Sequence, residues 1–403
     1  MRGPPERSQE TMAERVHLPI SGQPKSGQPS PGQPAEEGRT TDDLGVRTDV
    51  RNEQSEHEGP VLGIADPWRD RKPEPDRAVS CIMADSLYVK ANGEMPCWCD
   101  SGEQLILETL TVEKLMDPSF DAFNHPKIQV IRDAFHREDR YPFPSTCRRC
   151  AMVYPDAERD RSLYRDGIDT LHVESSWLCN LDCPLCIPKK ERKSLKDPPF
   201  HVEPSLWVAL VHNLKLHGVK RVRMLHFESR GDPLMHPHLG HLCKVFHMSY
   251  PDAIIQATTN GNFPFKDDLF EGGLTHLRIS ADGAREESYQ TYRRGGKFAK
   301  VHKFMADAAE CRTRLGLQDR VHIEWKYILF EWNDTDEEML EAYQIANDIG
   351  IELSFCLTPW EGKSLRFDND NLSEKLAEIM PSAQNRPTRH IELGLDHQND
   401  AAQ

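Results

Sequence analysis

The chain has 403 residues, a formal net charge of -15 at pH 7 and a mean hydropathy of -0.66. This acidity argues against a nucleic-acid partner, which needs a broad Lys/Arg surface. No run approaches the roughly 20 apolar residues that span a bilayer, and residues 1–11 are too polar for a secretory signal, so we expect a cytoplasmic protein without membrane contact. Eleven cysteines in a reducing compartment point to metal or redox chemistry rather than to disulfides.

The N-terminal part of the chain, residues 1–75, is rich in Pro, Gly, Gln, Ser and charge. It contains a short imperfect repeat, with SGQP at 21–24 and 26–29 and PGQP at 31–34. Such a composition cannot bury enough apolar surface to order itself, so the sequence predicts a disordered N-terminal tail.

The next segment, residues 76–155, is rich in cysteine. It predicts a strand at 86–90, a turn at Asn92-Gly93 and a second extended stretch at 95–100. Five cysteines fall here: Cys81, Cys97, Cys99, Cys147 and Cys150. So short a segment has little core of its own, and we therefore predict a small domain that is held together by a metal site.

From residue 167 onward, β-branched or apolar runs alternate with amphipathic helical stretches. The predicted strands are 170–174, 222–227, 253–259, 276–280, 321–330 and 351–357. The predicted helices are 204–217, 237–248, 298–315 and 337–348. Six β-α units in succession predict an α/β fold across 166–360, a parallel sheet curled into a partial (β/α)6 TIM-like barrel, with a polar extension at 361–403. Its active face should lie at the C-terminal ends of the strands.

The most specific motif follows the first barrel strand and reads Cys179-Asn-Leu-Asp-Cys183-Pro-Leu-Cys186. Three thiolates in one short loop can bind three irons of a 4Fe-4S cluster and leave the fourth iron open. A bacterial ferredoxin would need CxxCxxC, and a zinc ribbon would need paired CxxC units. The spacing therefore favours an open cluster.

This motif resembles that of the radical S-adenosylmethionine (SAM) superfamily, and the resemblance covers roughly residues 166–360. In that family the open iron binds the amino and carboxylate groups of SAM. Residues 228–237 resemble the family's GGEP loop, which receives the SAM amino group, and Gly231 and Asp232 stand at the second and third positions of that motif, after Arg230 in place of the first Gly. Asp232 replaces the usual Glu, so the carboxylate is one methylene shorter.

Three further segments resemble SAM-binding motifs of the family. Thr258-Thr259-Asn260-Gly261 is similar to the TNG turn beneath the nucleoside. Ser280 and Asp282 match the S-x-D motif, which binds ribose hydroxyls or the methionyl carboxylate. Arg293 and Arg294 resemble the arginine segment that reaches the SAM carboxylate. Each motif is an ordinary turn by itself, but they occur in order, each after a successive strand.

The N-terminal cysteines resemble the SPASM and twitch auxiliary-cluster domains of the same superfamily, here placed before the barrel instead of after it. The resemblance implies a second 4Fe-4S cluster on Cys81, Cys97, Cys147 and Cys150, with Cys99 as an alternative to Cys97. The same spacing also satisfies a zinc site with four cysteine ligands.

The resemblance implies that SAM is cleaved reductively to a 5′-deoxyadenosyl radical, with an electron donor such as flavodoxin or ferredoxin. A fully ligated auxiliary cluster is suited to taking an electron from a substrate radical, which favours a net oxidation by dehydrogenation or radical bond formation. We expect a small polar metabolite, such as a sugar or cyclitol, since nothing before the barrel resembles a leader-peptide binder. Two alternatives remain open: maturation of a ribosomal peptide, and a zinc-stabilised binding or scaffold protein without catalysis.

Overall fold

A parallel sheet of seven strands lies at the centre of the computed structural model. The structure describes residues 79–97, 105–136, 141–143, 147, 150, 153–155, 167–186, 198–227, 231–359 and 361–380. The strands in these ranges are β1 (Val79–Cys81), β2 (Leu87–Val89), β3 (Glu94–Pro96), β4 (Ile106–Thr109), β5 (Val153–Pro155), β6 (Gly167–Val173), β7 (Arg221–Phe227), β8 (Ile254–Thr259), β9 (His276–Ser280), β10 (His322–Ile328) and β11 (Glu352–Cys356). The α-helices are α1 (Val112–Met116), α2 (Pro126–His136), α3 (Pro204–Leu216), α4 (Leu239–Ser249), α5 (Asp268–Glu271), α6 (Glu286–Tyr292), α7 (Phe298–Arg314), α8 (Asp336–Ile349) and α9 (Leu372–Ile379). The predicted tail at 1–75, Cys99 and residues 381–403 lie outside the described residues.

The central sheet has the order β11, β10, β9, β8, β7, β6, β2, and each neighbouring pair is parallel. All six predicted barrel strands are present in chain order, so the predicted α/β fold with a partial TIM-like barrel is confirmed. Successive side chains along each strand point to opposite faces of the sheet. On β10, Trp325 and Tyr327 are buried towards the helices, and the Tyr327 hydroxyl donates to Glu338 of α8 at 3.3 Å. Lys326, which lies between them on β10, therefore faces the concave interior of the barrel.

The seventh strand, β2, comes from the N-terminal segment and was predicted there as a strand of the cluster domain. It pairs in parallel with β6, with Leu87 opposite Leu171 and Val89 opposite Val173. All three residues of β2 are buried. An apolar strand of this kind covers the open edge of the sheet, which is why it joins the barrel.

The N-terminal segment packs against the barrel through Asn213 of α3, which is fully buried. Its Nδ2 donates to the carbonyls of Leu115 at 2.9 Å and Phe120 at 2.7 Å, and its Oδ1 accepts from the Ala122 N–H at 3.0 Å. The buried side chains of both segments belong to one hydrophobic cluster. They therefore share a core across the predicted boundary between 76–155 and 166–360.

The last helices follow from local sequence signals. Helix α8 ends at Ile349, and the residue that follows is Gly350, the predicted C-terminal glycine, which adopts a left-handed φ of 80°. Beyond the barrel, Leu372 and Leu376 of α9 are buried, so part of the predicted polar extension packs on the core. None of the helices described above is both long and apolar enough to cross a membrane.

Candidate functional site

A loop after β6 carries the three cysteines of the most specific motif, and the structure leaves all three half-buried: Cys179, Cys183 and Cys186. Two neighbouring loops hold this loop through its backbone. The Asp232 N–H donates to the Leu178 carbonyl at 2.7 Å, and the Asp182 N–H donates to the Arg294 carbonyl at 3.0 Å. The segments after β7 and α6 therefore fix the position of the cysteine loop.

The three thiols lie close enough to influence one another electrostatically. Burial raises the pKa of the Cys183 thiol to about 11, and Cys186 and Cys179 raise it further, while the Arg293 guanidinium opposes them. A thiol must lose its proton to bind iron, so binding of a cluster would release protons here. Arg293 supplies a positive charge beside the thiolates. The donor set and this charge fit a 4Fe-4S cluster with one open iron.

Asp282 and Arg293 form a buried ion pair beside the cysteine loop. The Arg293 Nε donates to Asp282 Oδ2 at 2.6 Å, and Asp282 is fully buried. Asp282 Oδ1 accepts from the Ile328 N–H at 2.7 Å, so the carboxylate also joins the loop after β9 to the end of β10. Burial alone would lower the pKa of Arg293, but Asp282 and Cys183 raise it well above its usual range. The guanidinium is therefore held as a fixed cation at the site.

Asp232 is also buried, and both of its oxygens are occupied. They accept from the Thr259 hydroxyl at 2.9 and 3.0 Å, from the Asn260 N–H at 2.8 Å and from the Leu234 N–H at 3.0 Å. Burial raises the pKa of Asp232 to about 6, and these hydrogen bonds oppose the rise. The carboxylate expected to contact SAM thus joins the loop after β7 to the turn after β8.

Asn260, in the turn after β8, contacts the cysteine loop. Its Nδ2 lies 3.6 Å from Cys179 Sγ and donates to Asn180 Oδ1 at 2.8 Å. The neighbouring Asn262, which the sequence reasoning missed, donates to the Tyr289 hydroxyl at 3.0 Å and is buried. Asn260 therefore connects the turn after β8 to the cysteine loop.

The other residues expected to bind SAM differ in exposure. Gly231 has no room for a side chain, since a Cβ there would lie 2.2 Å from the Ser176 carbonyl oxygen. Ser280 ends β9 and is buried. The Arg294 side chain is exposed, and in the part of the chain that the structure describes it has no side-chain partner. Its backbone, rather than its side chain, contacts the cysteine loop.

Four N-terminal cysteines converge on a second position. Strand β1 pairs with β5, which puts Cys81 opposite Val153, and the Val153 N–H donates to the Cys150 carbonyl at 3.3 Å. Burial raises the pKa of Cys81 well above its usual range, and Cys97, Cys150 and Cys147 raise it further. Cys97 and Cys147 are likewise affected by the other thiols. The four thiols, far apart in sequence, are thus brought together.

Four thiolates can hold either a 4Fe-4S cluster or a zinc ion, so this cysteine set is compatible with both kinds of site.

A buried network that the sequence reasoning missed lies at the end of β6. Glu174 is buried, and it accepts from the Tyr88 hydroxyl at 2.7 Å and from the Trp177 indole N–H. Tyr88 belongs to β2, and Trp177 precedes the cysteine loop by two residues. A strand-end Glu has no distinctive sequence signal, because its partners come from different segments.

A comparison with protein families matches residues 176–359 to the model described as the radical SAM superfamily. Among curated relatives, a GTP 3′,8-cyclase of Alkaliphilus oremlandii is 25% identical over 254 residues, which cover 58% of this chain and 72% of the relative. A GTP 3′,8-cyclase of Chlorobaculum tepidum is 27% identical over 138 residues, which cover 34% and 39%. The chain thus spans between 39% and 72% of the length of these two relatives.

Solved structures with a similar arrangement include two enzymes. Methylornithine synthase is 14% identical and has a TM-score of 0.35, and the match covers 57% of this chain and 66% of that one. Coproporphyrinogen III oxidase from Escherichia coli is 16% identical and has a TM-score of 0.36, with 53% and 52% covered.

Proposed function

We propose that Cys179, Cys183 and Cys186 bind a 4Fe-4S cluster and that the enzyme oxidises a small polar metabolite, because residues 176–359 match the radical SAM superfamily, whose cofactors are a 4Fe-4S cluster and SAM. The observation that carries this proposal is the assembly of two separate thiol groups, one after β6 and one around the β1–β5 pair. Two such groups suit an enzyme that needs a cluster for SAM and a second redox centre.

A bound 4Fe-4S cluster and SAM would supply the abstraction of a hydrogen atom from the substrate, and a second cluster would supply an acceptor for the remaining electron. The chain's own residues hold this chemistry in place. Arg293, fixed by Asp282, offers a cation to the SAM carboxylate and to the thiolates. Asp232 sets the distance between the loop after β7 and the turn that carries Asn260. Gly231 lets these backbones approach each other closely.

The second thiol group is proposed to hold the auxiliary cluster on Cys81, Cys97, Cys147 and Cys150. The thiols raise one another's pKa, as groups that share a site do. A cluster is proposed in preference to zinc because the same chain carries the three-cysteine motif of an open 4Fe-4S cluster. The zinc-stabilised scaffold is correspondingly less favoured than the enzyme.

The iron content of two multiple variants tests this assignment. After anaerobic reconstitution, a Cys179/Cys183/Cys186 triple Ala variant should retain one 4Fe-4S cluster and should form no 5′-deoxyadenosine from SAM and dithionite. A Cys147/Cys150 double Ala variant should retain the other cluster and still cleave SAM. Zinc in place of iron in the triple variant would contradict the auxiliary cluster, and SAM cleavage by that variant would contradict the catalytic site.

Cys243 and Cys311 provide a matched control, because they are buried in α4 and α7 away from both thiol groups. A Cys243/Cys311 double Ala variant should keep both clusters. Loss of iron from it would mean that the other losses reflect general unfolding.

A second candidate, cyclisation of a nucleotide, is favoured by the relatives named GTP 3′,8-cyclase. A nucleotide is a small molecule, as is the metabolite of the first proposal. These relatives therefore favour a small-molecule substrate over a ribosomal peptide. Incubation with SAM, dithionite and GTP separates the candidates: consumption of GTP with formation of 5′-deoxyadenosine supports nucleotide cyclisation. Unchanged GTP leaves the oxidation of another metabolite as the proposal.

A further inference from the structure

A lysine and two serines lie side by side on the concave face of the barrel. In the strand register, Lys326 of β10 stands opposite Ser280 of β9 and opposite Ser354 of β11. Neighbouring strands lie about 4.8 Å apart, so the two hydroxyls flank the lysine on either side. All three residues lie near the C-terminal ends of their strands, which is the end that carries the cysteine loop.

The side of the sheet follows from the neighbours of Lys326. Trp325 donates its indole N–H to the Ala281 carbonyl at 2.7 Å and packs near Phe298 of α7, with ring centroids 6.0 Å apart. Tyr327 reaches Glu338 of α8. Because Trp325 and Tyr327 face the helices, the side chain of Lys326 faces the barrel interior.

Two arginines near this interior face have carboxylate partners, whereas Lys326 does not, among the residues that the structure describes. Arg278 is paired with Glu324, with Nε 2.7 Å from Oε2, and Arg293 is paired with Asp282. Lys326 is half-buried and, among the residues that the structure describes, has no side-chain hydrogen bond or ion pair. The thiol of Cys356 does not neutralise it: burial raises the pKa of that thiol, although the nearby Lys326 lowers it.

The hydroxyl groups beside Lys326 also lack hydrogen-bond partners among the described residues. Neither the Ser280 nor the Ser354 hydroxyl has a hydrogen-bond partner within the described residues, and both residues are nine-tenths buried or more. One layer further down, Thr258 Oγ1 is buried without a partner among these residues. The unpartnered Glu324 Oε1 of that layer can only accept a hydrogen bond, so it does not contribute to binding an anion. The hydroxyl groups are therefore the donors that this recess offers besides Lys326.

We propose that Lys326 and Ser354 bind an oxyanion of the substrate, either a phosphate or a carboxylate group. One ammonium and one hydroxyl donor can bind two oxygens of a phosphate or of a carboxylate. This inference rests on the proposed function and narrows its substrate to an anionic metabolite. The anion would lie beside Ser280, so the rest of the substrate would extend towards the SAM site.

Binding of simple anions tests the proposal without turnover. The full chain, reconstituted anaerobically with its clusters and saturated with SAM, is titrated calorimetrically with inorganic phosphate and, separately, with acetate. We expect at least one of these anions to bind. The anion that binds more tightly indicates whether the substrate carries a phosphate or a carboxylate group. Lys326→Met should weaken that binding at least about ten-fold, because a charge-assisted hydrogen bond is lost. Lys326→Arg should restore part of it.

Lys300→Met is the matched control, since Lys300 is exposed on α7 and should not affect anion binding. The proposal is overturned if neither anion binds, if Lys326→Met binds as the wild type does, or if the anion displaces SAM, which would make this recess the SAM carboxylate site. Should Lys326→Met fail to fold, Ser354→Ala and Lys326→Arg decide, and wild-type affinity in both would overturn it. Since no turnover is measured, a failure of the proposed oxidation leaves this test intact.

Discussion

Asp232 illustrates how single residues hold the site together. It takes the place of a residue expected to contact SAM, yet its carboxylate is filled by donors from Leu234, Thr259 and Asn260. A shorter side chain than Glu reaches less far from the backbone. The missing methylene therefore accounts for a carboxylate that bonds to its own protein.

The titration of Asp232 gives a pH dependence of stability. Its pKa rises from 3.8 to about 6 on folding, so between these values the folded chain holds a proton that the unfolded chain has lost. Its contribution to the free energy of unfolding is thus greatest below pH 3.8 and falls as the pH rises through 6, by about 3 kcal/mol in total. Asp232→Asn removes this dependence.

Urea unfolding of the metal-free wild type and Asp232→Asn from about pH 4 to pH 7 measures the effect. The wild-type stability minus that of the variant should decrease as the pH rises, because only the wild type loses the proton. Other titrating groups, such as the buried His236, are common to both proteins and cancel. A difference that is constant or increases with pH would contradict the assignment.

At the scale of elements, the loop after β7 is packed directly on the cysteine loop. A Cβ on Gly231 would lie 2.2 Å from the Ser176 oxygen, 2.6 Å from the Trp177 carbonyl carbon and 2.8 Å from the Leu178 oxygen. All three atoms belong to backbone, which cannot rotate away as a side chain can. The two loops can therefore meet only where a glycine stands.

Gly231→Ala should consequently displace the cysteine loop and reduce the iron bound at the first cluster site. Gly316→Ala is the control: its methyl group meets nothing within 4 Å, although a φ of 66° makes it strained by about 1–2 kcal/mol. Iron and sulfide per chain, measured after anaerobic reconstitution, should fall by the content of one cluster in Gly231→Ala only. Full iron in Gly231→Ala would mean that the loops can separate without loss of the cluster.

At the scale of the whole molecule, the N-terminal segment contributes a strand and a network to the barrel. Strand β2 covers the edge of β6, and Tyr88 gives Glu174 a hydrogen bond in the interior. Asn213 binds three backbone groups of the same segment. The barrel is thus completed by residues that precede it by some eighty positions.

Two truncations test this dependence. Deleting residues 1–70 should leave soluble protein with both clusters and SAM cleavage, because that polar segment lacks the periodicity to pack on a core. Deleting residues 1–165 should give insoluble protein, because it exposes the edge of β6, removes the Tyr88 hydrogen bond to Glu174 and takes away all three backbone partners of the buried Asn213. Soluble, cluster-loaded protein from the second deletion would show that the barrel is independent.

The sequence by itself determined the six barrel strands, the loop with Cys179, Cys183 and Cys186, and the order of the motifs around it. These features are local: hydrophobic periodicity, cysteine spacing and turn residues are all read within short windows. Its helix boundaries agree within one or two residues, for the same reason. In the N-terminal segment the sequence identified a strand and a set of cysteines, but it did not predict which other segments they lie against.

The tertiary structure decided what depends on contacts between distant segments. It placed β2 in the barrel sheet, gave the Asp232 carboxylate to Thr259 and Asn260 instead of leaving it free, and brought Cys81 to Cys150 through the β1–β5 pair. It also set Lys326 between two serines, without a side-chain hydrogen bond or ion pair among the described residues. Strand pairing and the balance of buried charges are set by the whole fold, because each depends on which residues from other segments arrive alongside.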